Sequence, residues 1–295
     1  MNKQQQAKWM LIASVFMFGT IAPFVRHISV SSGEVALYRA VLAAVLIGLY
    51  LLVTKQRIPF KAIKRELPLF LLSGVAMAFN WILLFEAYKY TTVSVATLSY
   101  YFAPVIVTAV CPILFKEKLT AKQILCFIMS TVGLVLITGL GDMSQGSDHF
   151  KGILLGLGAA VLYAVVMLVN KFIKNVDGIH RTLLQFLAVI AILTPYVLLT
   201  SGVTVQNLNG AGWACLLIVG LLHTGVTYCL YFSSPKELPG QKAAILSYID
   251  PLVAVLISVL LLHETMTLLQ VIGGALILGF TLYNEIGNNK KDASM

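Results

Sequence analysis

The sequence predicts an all-α integral membrane protein of ten transmembrane helices, arranged as two inverted five-helix repeats. Three observations lead to this fold class. Hydrophobic residues make up 59% of the 295 positions and charged residues only 11%, so the polar residues are too few to cover a soluble globule of this size. The apolar residues fall into ten runs of transmembrane length, and one stretch of the chain occurs twice. The bilayer is therefore the expected solvent and first partner of the chain.

Each of the ten predicted spans can cross a hydrocarbon core of about 30 Å. In chain order, spans 1 to 10 are predicted at residues 8–28, 33–53, 67–88, 92–115, 121–139, 152–173, 179–200, 211–233, 240–262 and 267–285. The predicted domains are a first five-helix repeat at 1–140, a polar linker at 141–151, a second repeat at 152–287 and a tail at 288–295.

The repeated stretch runs from Phe85 to Gln123 and again from Phe232 to Gln270, 147 residues later. Nine of its 39 positions are identical at that offset: Phe85/Phe232, Lys89/Lys236, Ala96/Ala243, Tyr101/Tyr248, Pro104/Pro251, Leu114/Leu261, Glu117/Glu264, Thr120/Thr267 and Gln123/Gln270. Because each half holds five spans, an odd number, the second half must lie upside down relative to the first. Inverted repeats of this kind are typical of secondary transporters.

The basic residues are distributed unevenly between the two ends of the spans. With a cytoplasmic N-terminus, seventeen Lys and Arg residues fall on the inner side and only Arg26, Lys89 and Lys151 on the outer side. This is the positive-inside pattern, and it predicts a protein of the cell membrane with both termini in the cytoplasm. The net charge of +9 thus reflects topology, and no nucleic-acid partner is expected.

Each half contains a recognisable set of motifs. They are the run from Leu84 to Thr92, then Ala96, Pro104 and Glu117, and in the second half Tyr248 to Pro251, His263, Glu264 and the run from Gly273 to Ile277. Together these motifs resemble the EamA-type transporters of the drug/metabolite transporter superfamily, and the likeness covers almost the whole chain. The resemblance implies a ten-helix carrier whose central cavity is lined by helices 1, 3, 4, 6, 8 and 9. It also implies transport of small metabolites, often outward.

Asp250 is the foremost candidate for a functional residue. An ionisable group within a span costs about 2.5–3.5 kcal/mol on insertion scales and tends to face a polar interior. Its repeat counterpart is Ala103, and a carboxylate there can bind a proton or a cationic group, with Tyr248 and Ser247 beside it. The remaining predicted lining residues, each of which has simple packing as its alternative, are Asn80, Trp81, Tyr100, Tyr101, Tyr163, Asn170 and Tyr228.

Four further positions are candidates for gating or coupling. Pro104 and Pro251 remove a backbone donor in equivalent helices, so they predict either a hinge or a fixed bend. His223 falls near the middle of span 8, either as a proton carrier or as a hydrogen-bonded core residue. Glu86 is either an outer gate or the partner of Lys89 in an i,i+3 ion pair.

Arg39 lies about two turns into span 2, which is expected to be peripheral to the cavity. It is interpreted as a structural residue that snorkels or pairs with Glu34, with anion binding as the alternative. Glu117 and Glu264, three residues before Thr120 and Thr267, are interpreted as pairing with a base or capping the next helix.

The sequence predicts a transporter and no enzyme. Thr267 stands where a zinc-protease HExxH motif would need its second His, and there is no Walker A sequence, so neither metal, cofactor nor ATP is expected. The prediction is a secondary active exporter of small metabolites, namely amino acids or related amines, that works by alternating access. Proton coupling and a monomeric or homodimeric state are open. The alternatives are a multidrug or nucleoside-type exporter and an uncoupled facilitative carrier.

Overall fold

The computed structural model describes residues 3–55, 60–115, 120–137, 146–176, 178–233 and 246–292. Within these ranges the regular secondary structure is helical throughout. In the same ranges, seven segments are long and apolar enough to span a membrane, and the shorter apolar helices Ala121–Ile137, Ile249–Leu260 and Leu268–Asn284 bring the total to ten. The chain is a multi-pass membrane protein with the predicted all-helical architecture.

Four of the spans are not single α-helices, because spans 1 and 4 are interrupted, span 8 contains a π-helix and span 9 is interrupted at Tyr248. The observed helices are Lys3–Gly19 and Ile21–Arg26 (span 1), Ser32–Val53 (2), Phe60–Tyr90 (3), Val93–Tyr100 and Ala103–Phe115 (4), Ala121–Ile137 (5), Gly146–Phe172 (6), Gly178–Thr200 (7), Gly210–Leu217, the π-helix Ile218–Val226 and Thr227–Ser233 (8), Ile249–Leu260 (9) and Leu268–Asp292 (10). A 3-10 turn at Val205–Asn207 precedes span 8.

Helices extend beyond the apolar runs at several ends. Span 6 begins at Gly146, inside the stretch predicted as a linker, and span 10 continues to Asp292, inside the stretch predicted as a tail. Hydropathy marks the part of a helix that lies in hydrocarbon, whereas backbone hydrogen bonding continues into the polar region beyond it. The residues predicted for the first part of span 9, 240–245, lie outside the described residues.

The packing of the spans is symmetric under exchange of the two halves. Span 3 packs against span 6, and their counterparts, spans 8 and 1, pack against each other. Spans 4 and 6 make contact, as do spans 9 and 1, and the contact between spans 2 and 8 has its equivalent between spans 7 and 3. Spans 2 and 7, 4 and 9, and 5 and 10 each pair a span with its own counterpart. Every principal contact therefore occurs as the two-repeat architecture requires.

The repeat also duplicates a helix cap. In the first half, the Thr120 backbone N–H donates to Gln123 Oε1 (2.9 Å) and the Gln123 N–H donates to Thr120 Oγ1 (3.2 Å). Thr267 and Gln270 make the same two bonds at 3.0 and 3.2 Å. These are reciprocal capping boxes, in which two unpaired donors of the first helical turn are satisfied. The identical Thr-x-x-Gln positions are thus explained by the starts of spans 5 and 10.

Hydrogen bonds between loops group the span ends into two faces. The Arg26 face, named for the residue at the end of span 1, carries Arg26, Glu86 and Glu264 together with the ends of spans 3, 7 and 9. The opposite face is named the Arg181 face for the residue near the start of span 7. There, Glu66 at the start of span 3 accepts from the backbone N–H of Lys174, after span 6, at 3.2 Å. Successive spans thus run in alternating directions.

Candidate functional site

A cavity of about 530 Å³ lies between the two halves of the protein, within the size range of small-molecule sites. Its described walls come from spans 1, 2, 3 and 4 of the first half and from spans 6, 7, 8 and 9 of the second, and spans 5 and 10 supply none of those described residues. The six spans expected from the resemblance are all present. Spans 2 and 7 are additional, because Arg39, Arg181, Thr182 and Gln185 also face the cavity.

The structure places all ten predicted binding residues on the cavity wall. They are Asn80, Trp81, Tyr100, Tyr101, Tyr163, Asn170, Tyr228, Ser247, Tyr248 and Asp250. Of the four predicted gating residues, Pro104 lines the cavity, and His223, Glu86 and Pro251 lie elsewhere. The structure thus brings the polar groups of both halves together in one chamber, and their roles in binding stay predictions.

Asp250 lies in the first turn of the helix Ile249–Leu260, immediately after the interruption of span 9 at Tyr248. Its Oδ2 accepts a hydrogen bond from the hydroxyl of Tyr101. Tyr101 and Tyr248 are counterparts in the repeat, and span 4 is interrupted at Tyr101 in the same way. The two interruptions therefore meet at the cavity and join a carboxylate of one half to a tyrosine of the other.

The duplicated prolines explain where spans 4 and 9 are interrupted. Pro104 is the second residue of Ala103–Phe115, and Pro251 is the third residue of Ile249–Leu260. In the first turn of a helix the missing proline N–H breaks no hydrogen bond, whereas the ring blocks the helix from continuing backward. Both halves thus have a helix interruption just before the duplicated proline. A hinge function stays a prediction.

Gly19 allows span 1 to touch span 9 beside the carboxylate. A Cβ atom at Gly19 would lie 2.6 Å from the backbone oxygen of Asp250 and 2.7 Å from Cβ of Val253. Real Cβ atoms essentially never come so close to their neighbours, so glycine is required for this backbone approach. Span 1 is interrupted at the next residue, Thr20, and non-helical backbone at membrane depth is tolerated where it is enclosed by protein or lines a cavity.

Aromatic rings form much of the cavity wall. Tyr100 stacks on Tyr163 with ring centroids 5.1 Å apart, and it meets Tyr101 edge-on at 5.8 Å. Tyr228 packs edge-on against Phe18 and Phe186, both at 5.2 Å. These are favourable aromatic geometries, and they give the chamber a wall of flat rings with hydroxyl groups.

Arg39 contradicts its interpretation as a peripheral residue paired with Glu34. Its side chain is 4% exposed, faces the cavity and stacks on Trp81, with the guanidinium carbon 4.1 Å from the ring centroid. Its Nε donates to Thr224 Oγ1 at 3.0 Å. Glu34 instead accepts from the backbone of Thr204 at 2.7 Å, because it closes the loop that leads into span 8. A buried Arg over an aromatic face is a stable cation–π arrangement.

His223 lies in the π-helix of span 8 and faces span 1. Its Nε2 is 3.0 Å from Thr20 Oγ1, its Nδ1 is 3.3 Å from the carbonyl oxygen of Ile218, and its ring centroid is 5.0 Å from that of Phe24. Side chains at Thr224 and Thr227 donate to carbonyls five residues earlier in the same segment. The histidine is therefore a hydrogen-bonded core residue, and proton coupling through it stays a prediction.

The cavity amides also tie spans together. Asn80 Nδ2 donates to the carbonyl oxygen of Ala159 at 2.6 Å, and Gln185 Nε2 donates to Asn170 Oδ1 at 2.8 Å. Span 6 is thus bonded to span 3 on one side and to span 7 on the other. Part of the hydrogen-bonding capacity of Asn80 and Asn170 is structural.

Glu86 and Glu264 form two separate ion pairs on the Arg26 face. Glu86 Oε2 is 2.8 Å from Lys89 Nζ, as the i,i+3 spacing predicts, and it also accepts from Ser32 at 2.6 Å. Both partners belong to the first half. Glu264 Oε1 is 2.5 Å from Arg26 Nη1, and its Oε2 accepts from the Val93 backbone N–H at 2.8 Å.

Glu264 therefore pairs with a base, one of the two roles expected, but it caps span 4 and not the helix that follows it. The capping box of Thr267 already satisfies that helix. Arg26 in turn donates to the carbonyl oxygens of Tyr88 (2.9 Å) and Thr91 (3.0 Å). One ionic cluster, formed by Arg26, Glu264 and the start of span 4, thus joins the two halves on this face. Glu117 lies outside the described residues.

Sequence reasoning missed several residues of the cavity, including Tyr88, Arg181 and Gln185. The available signal was a polar side chain within or at the end of a span. Arg39 carried that signal, but its span was expected to be peripheral.

The comparisons with known proteins agree with this geometry. The model of the EamA-like transporter family matches residues 6–139 and 150–284. An uncharacterized transporter of Bacillus subtilis, YxxF, is 29% identical over 90% of this chain and 86% of its own length. An uncharacterized transporter of Archaeoglobus fulgidus is 27% identical over 92% of this chain and 93% of its own length.

A solved crystal structure has the same fold, with a TM-score of 0.66 at 16% identity, covering 95% of this chain and 97% of the other. The two family matches correspond to the two halves that pack symmetrically around the cavity. The chain belongs to the EamA-like transporter family.

Proposed function

We propose that this transporter exports amino acids or related small amines across the cell membrane by alternating access. The observation that carries the proposal is the position of Asp250: a partly accessible carboxylate in a chamber that both halves enclose. Substrate sites at the interface of inverted repeats, beside interrupted helices, are the arrangement on which rocking of one half against the other depends. An ammonium group is the natural partner of such a carboxylate.

The direction of transport and the coupling ion belong to the same proposal. Outward transport rests on the resemblance to the drug/metabolite superfamily. The Arg181 face carries most of the basic residues of the described chain, which supports a cytoplasmic position for that face and for both termini. Asp250 is also the candidate proton-binding group, because a carboxylate that exchanges a proton for a cationic substrate would couple the two fluxes.

The aromatic wall supports a second candidate, a carrier of flat cations or nucleosides. Stacked Tyr100 and Tyr163 offer ring faces that attract both aromatic rings and cations. Competition separates the two: bulky aromatic cations or nucleosides displace the substrate in the second case and have little effect in the first.

The test is to reconstitute the purified protein in liposomes and to record solid-supported-membrane currents with amino acids, amines and nucleosides, with and without a pH gradient. A saturable current for amino acids or amines that depends on the pH gradient supports the proposal. Saturable counterflow that ignores the pH gradient would indicate an uncoupled facilitative carrier. Absence of both current and radiolabelled counterflow for amino acids and amines would overturn the substrate class.

A further inference from the structure

We infer that Arg39 binds the carboxylate of the transported molecule, so that the cavity selects a zwitterion whose ammonium group faces Asp250. This inference rests on the proposed function and deepens it, because it narrows the substrate class. Simple amines are excluded, and the substrate must carry both a positive and a negative charge.

The guanidinium of Arg39 has donors that the described part of the protein does not use. Within that part, its hydrogen bonding consists of Nε to Thr224 Oγ1 at 3.0 Å. A guanidinium has five N–H donors, so the four on the terminal nitrogens have no partner there, although the side chain is 4% exposed. Arg39 lines the cavity, and the cavity is where a ligand can reach these donors. A buried cation of this kind is costly without a partner anion.

The stacking of Arg39 on Trp81 does not explain the charge. At the repeat offset of 147, Arg39 corresponds to Phe186 and Trp81 corresponds to Tyr228. Phe186 meets Tyr228 edge-on with ring centroids 5.2 Å apart, and Arg39 lies over Trp81 with its guanidinium carbon 4.1 Å from the ring centroid. A planar group thus contacts an aromatic ring at this place in each half, and in the second half an uncharged phenyl ring fills it. The charge and donors of Arg39 are specific to one half.

The charges around the cavity favour a carboxylate over a dianion. The other charged side chains among the described lining residues are Asp250 and Arg181, and Arg181 Nη1 donates to the carbonyl of Asn170 at 3.4 Å near its own face. Arg39 comes from span 2 and Asp250 from span 9, and both line the same cavity, so the two opposite charges act on the same chamber. A zwitterion satisfies both, whereas a phosphate would be repelled by Asp250.

The shape of the guanidinium and the size of the cavity fit this assignment. The planar fork of an arginine matches a carboxylate with two parallel hydrogen bonds. A cavity of about 530 Å³ is large enough for an amino acid and its side chain. The aromatic wall is then left to contact the side chain.

The test compares matched probes on the full-length protein. L-threonine, L-leucine and L-phenylalanine are each assayed beside their carboxamide and their decarboxylated amine, by thermal stabilisation in detergent and by counterflow in liposomes. We expect the acids to be preferred over both neutralised forms by roughly 10- to 100-fold, as loss of a charge-assisted hydrogen bond implies.

Two variants assign the preference to Arg39. Arg39→Met removes the charge at similar length, and we expect its ratio of acid to amide affinity to fall close to 1. Arg39→Lys keeps the charge without the fork and should retain part of the ratio. Arg65→Gln, an exposed arginine at the start of span 3, is the matched control and should keep the wild-type ratio.

The outcomes are distinguishable. If amides and amines are bound and transported as well as acids, the role of Arg39 is refuted and the proposed transport of amines stands. If Arg39→Met melts and elutes like wild type and keeps the acid preference, the role is likewise refuted. If none of the nine compounds binds or exchanges, the proposed substrate class itself fails. Because the readout is a ratio within one variant, partial misfolding does not imitate the expected result.

Discussion

Replacing Glu264 by Gln should open the cavity from the Arg26 face. The carboxylate holds three partners at once: Arg26 from span 1, the Val93 N–H at the start of span 4 and the hydroxyl of Ser258 in span 9. A glutamine offers one oxygen and one NH2 group, so at least one of the donors, Arg26 or Val93, would face another donor. The contact that joins the two halves on this face would be weakened.

The magnitude follows from the exposure of the pair. The Arg26 side chain is 28% exposed and that of Glu264 is 11% exposed, so the Coulombic part is partly screened and contributes at most about 1 kcal/mol. Loss of a charge-assisted hydrogen bond adds about 1.5–3 kcal/mol. The conformation that keeps this cluster and is closed on the Arg26 face would therefore lose roughly 2–4 kcal/mol of stability relative to a conformation that is open there. A shift of that size changes the ratio of the two conformations by about 30- to 700-fold.

The assay is labelling of a cysteine in the cavity by a membrane-impermeant maleimide applied to the outside of cells. Leu84 lines the cavity and is 9% exposed, so Leu84→Cys is placed in an otherwise cysteine-free and still active protein. We expect Glu264→Gln to raise its labelling rate at least tenfold. Glu86→Gln is the matched control, because the direct partners of Glu86 among the described residues, Ser32 and Lys89, belong to its own half.

Two results would refute this reasoning. An unchanged labelling rate together with a lower melting temperature would show that the cluster stabilises the fold and does not close the cavity. An equal rise in Glu86→Gln would show that loss of any carboxylate on this face has the effect, and that joining the halves is irrelevant.

Three further predictions follow from individual contacts. Asp250→Asn keeps the size of the side chain and a partner for Tyr101 but removes the charge. Counterflow should therefore be lost or become independent of the pH gradient, while the melting temperature stays near that of wild type. Counterflow with unchanged rate and unchanged dependence on the pH gradient would remove this residue from the mechanism. Gly19→Ala places a methyl group against the backbone of Asp250 and should destabilise the protein by about 1–3 kcal/mol. Gly48→Ala is the control: Gly48 lies in open space within span 2, so this change should leave the stability unchanged or slightly raised. Similar melting curves for the two variants would contradict the close approach. Thr120→Ala and Thr267→Ala each remove one capping box and should each lower the free energy of unfolding by about 1 kcal/mol. A large difference in melting temperature between the two variants would argue against equivalent caps.

Part of the cavity wall could be predicted from the sequence because polar and ionisable side chains are costly in hydrocarbon. Asn80, Asn170 and Asp250 were expected in the interior from residue type, depth and the spans that the resemblance implies, and all three line the cavity. The interruptions of spans 4 and 9 were also within reach, since Pro104 and Pro251 sit at equivalent positions of the repeat.

Long-range partners could not be obtained in this way. Glu264 is 238 residues from Arg26 in the chain and 171 from Val93, and no local pattern specifies either pairing. Arg39 was misplaced for a related reason: helical periodicity shows which side of span 2 is polar, whereas the path of the span across the bundle decides whether that side meets lipid or the cavity. Its aromatic neighbour Trp81 belongs to another span.

Under the proposed function, the residues that occur in both halves belong to the transport scaffold, and those that occur in one half belong to substrate recognition. An inverted repeat can adopt two equivalent conformations, with the roles of its halves exchanged, so elements needed in both conformations have to occur twice. The prolines at the interruptions, the tyrosines before them and the Thr-x-x-Gln caps meet that condition.

Under the proposed function, by contrast, the substrate occupies one cavity and is bound by both halves together, so its ligands need to occur only once. Asp250 corresponds to Ala103, and Arg39 corresponds to Phe186. Both of these charged groups therefore stand at positions where the other half has an apolar residue. They come from opposite halves, so a molecule bound by both would connect the two halves directly, and under the proposed alternating access its binding would change the energy of moving one half against the other.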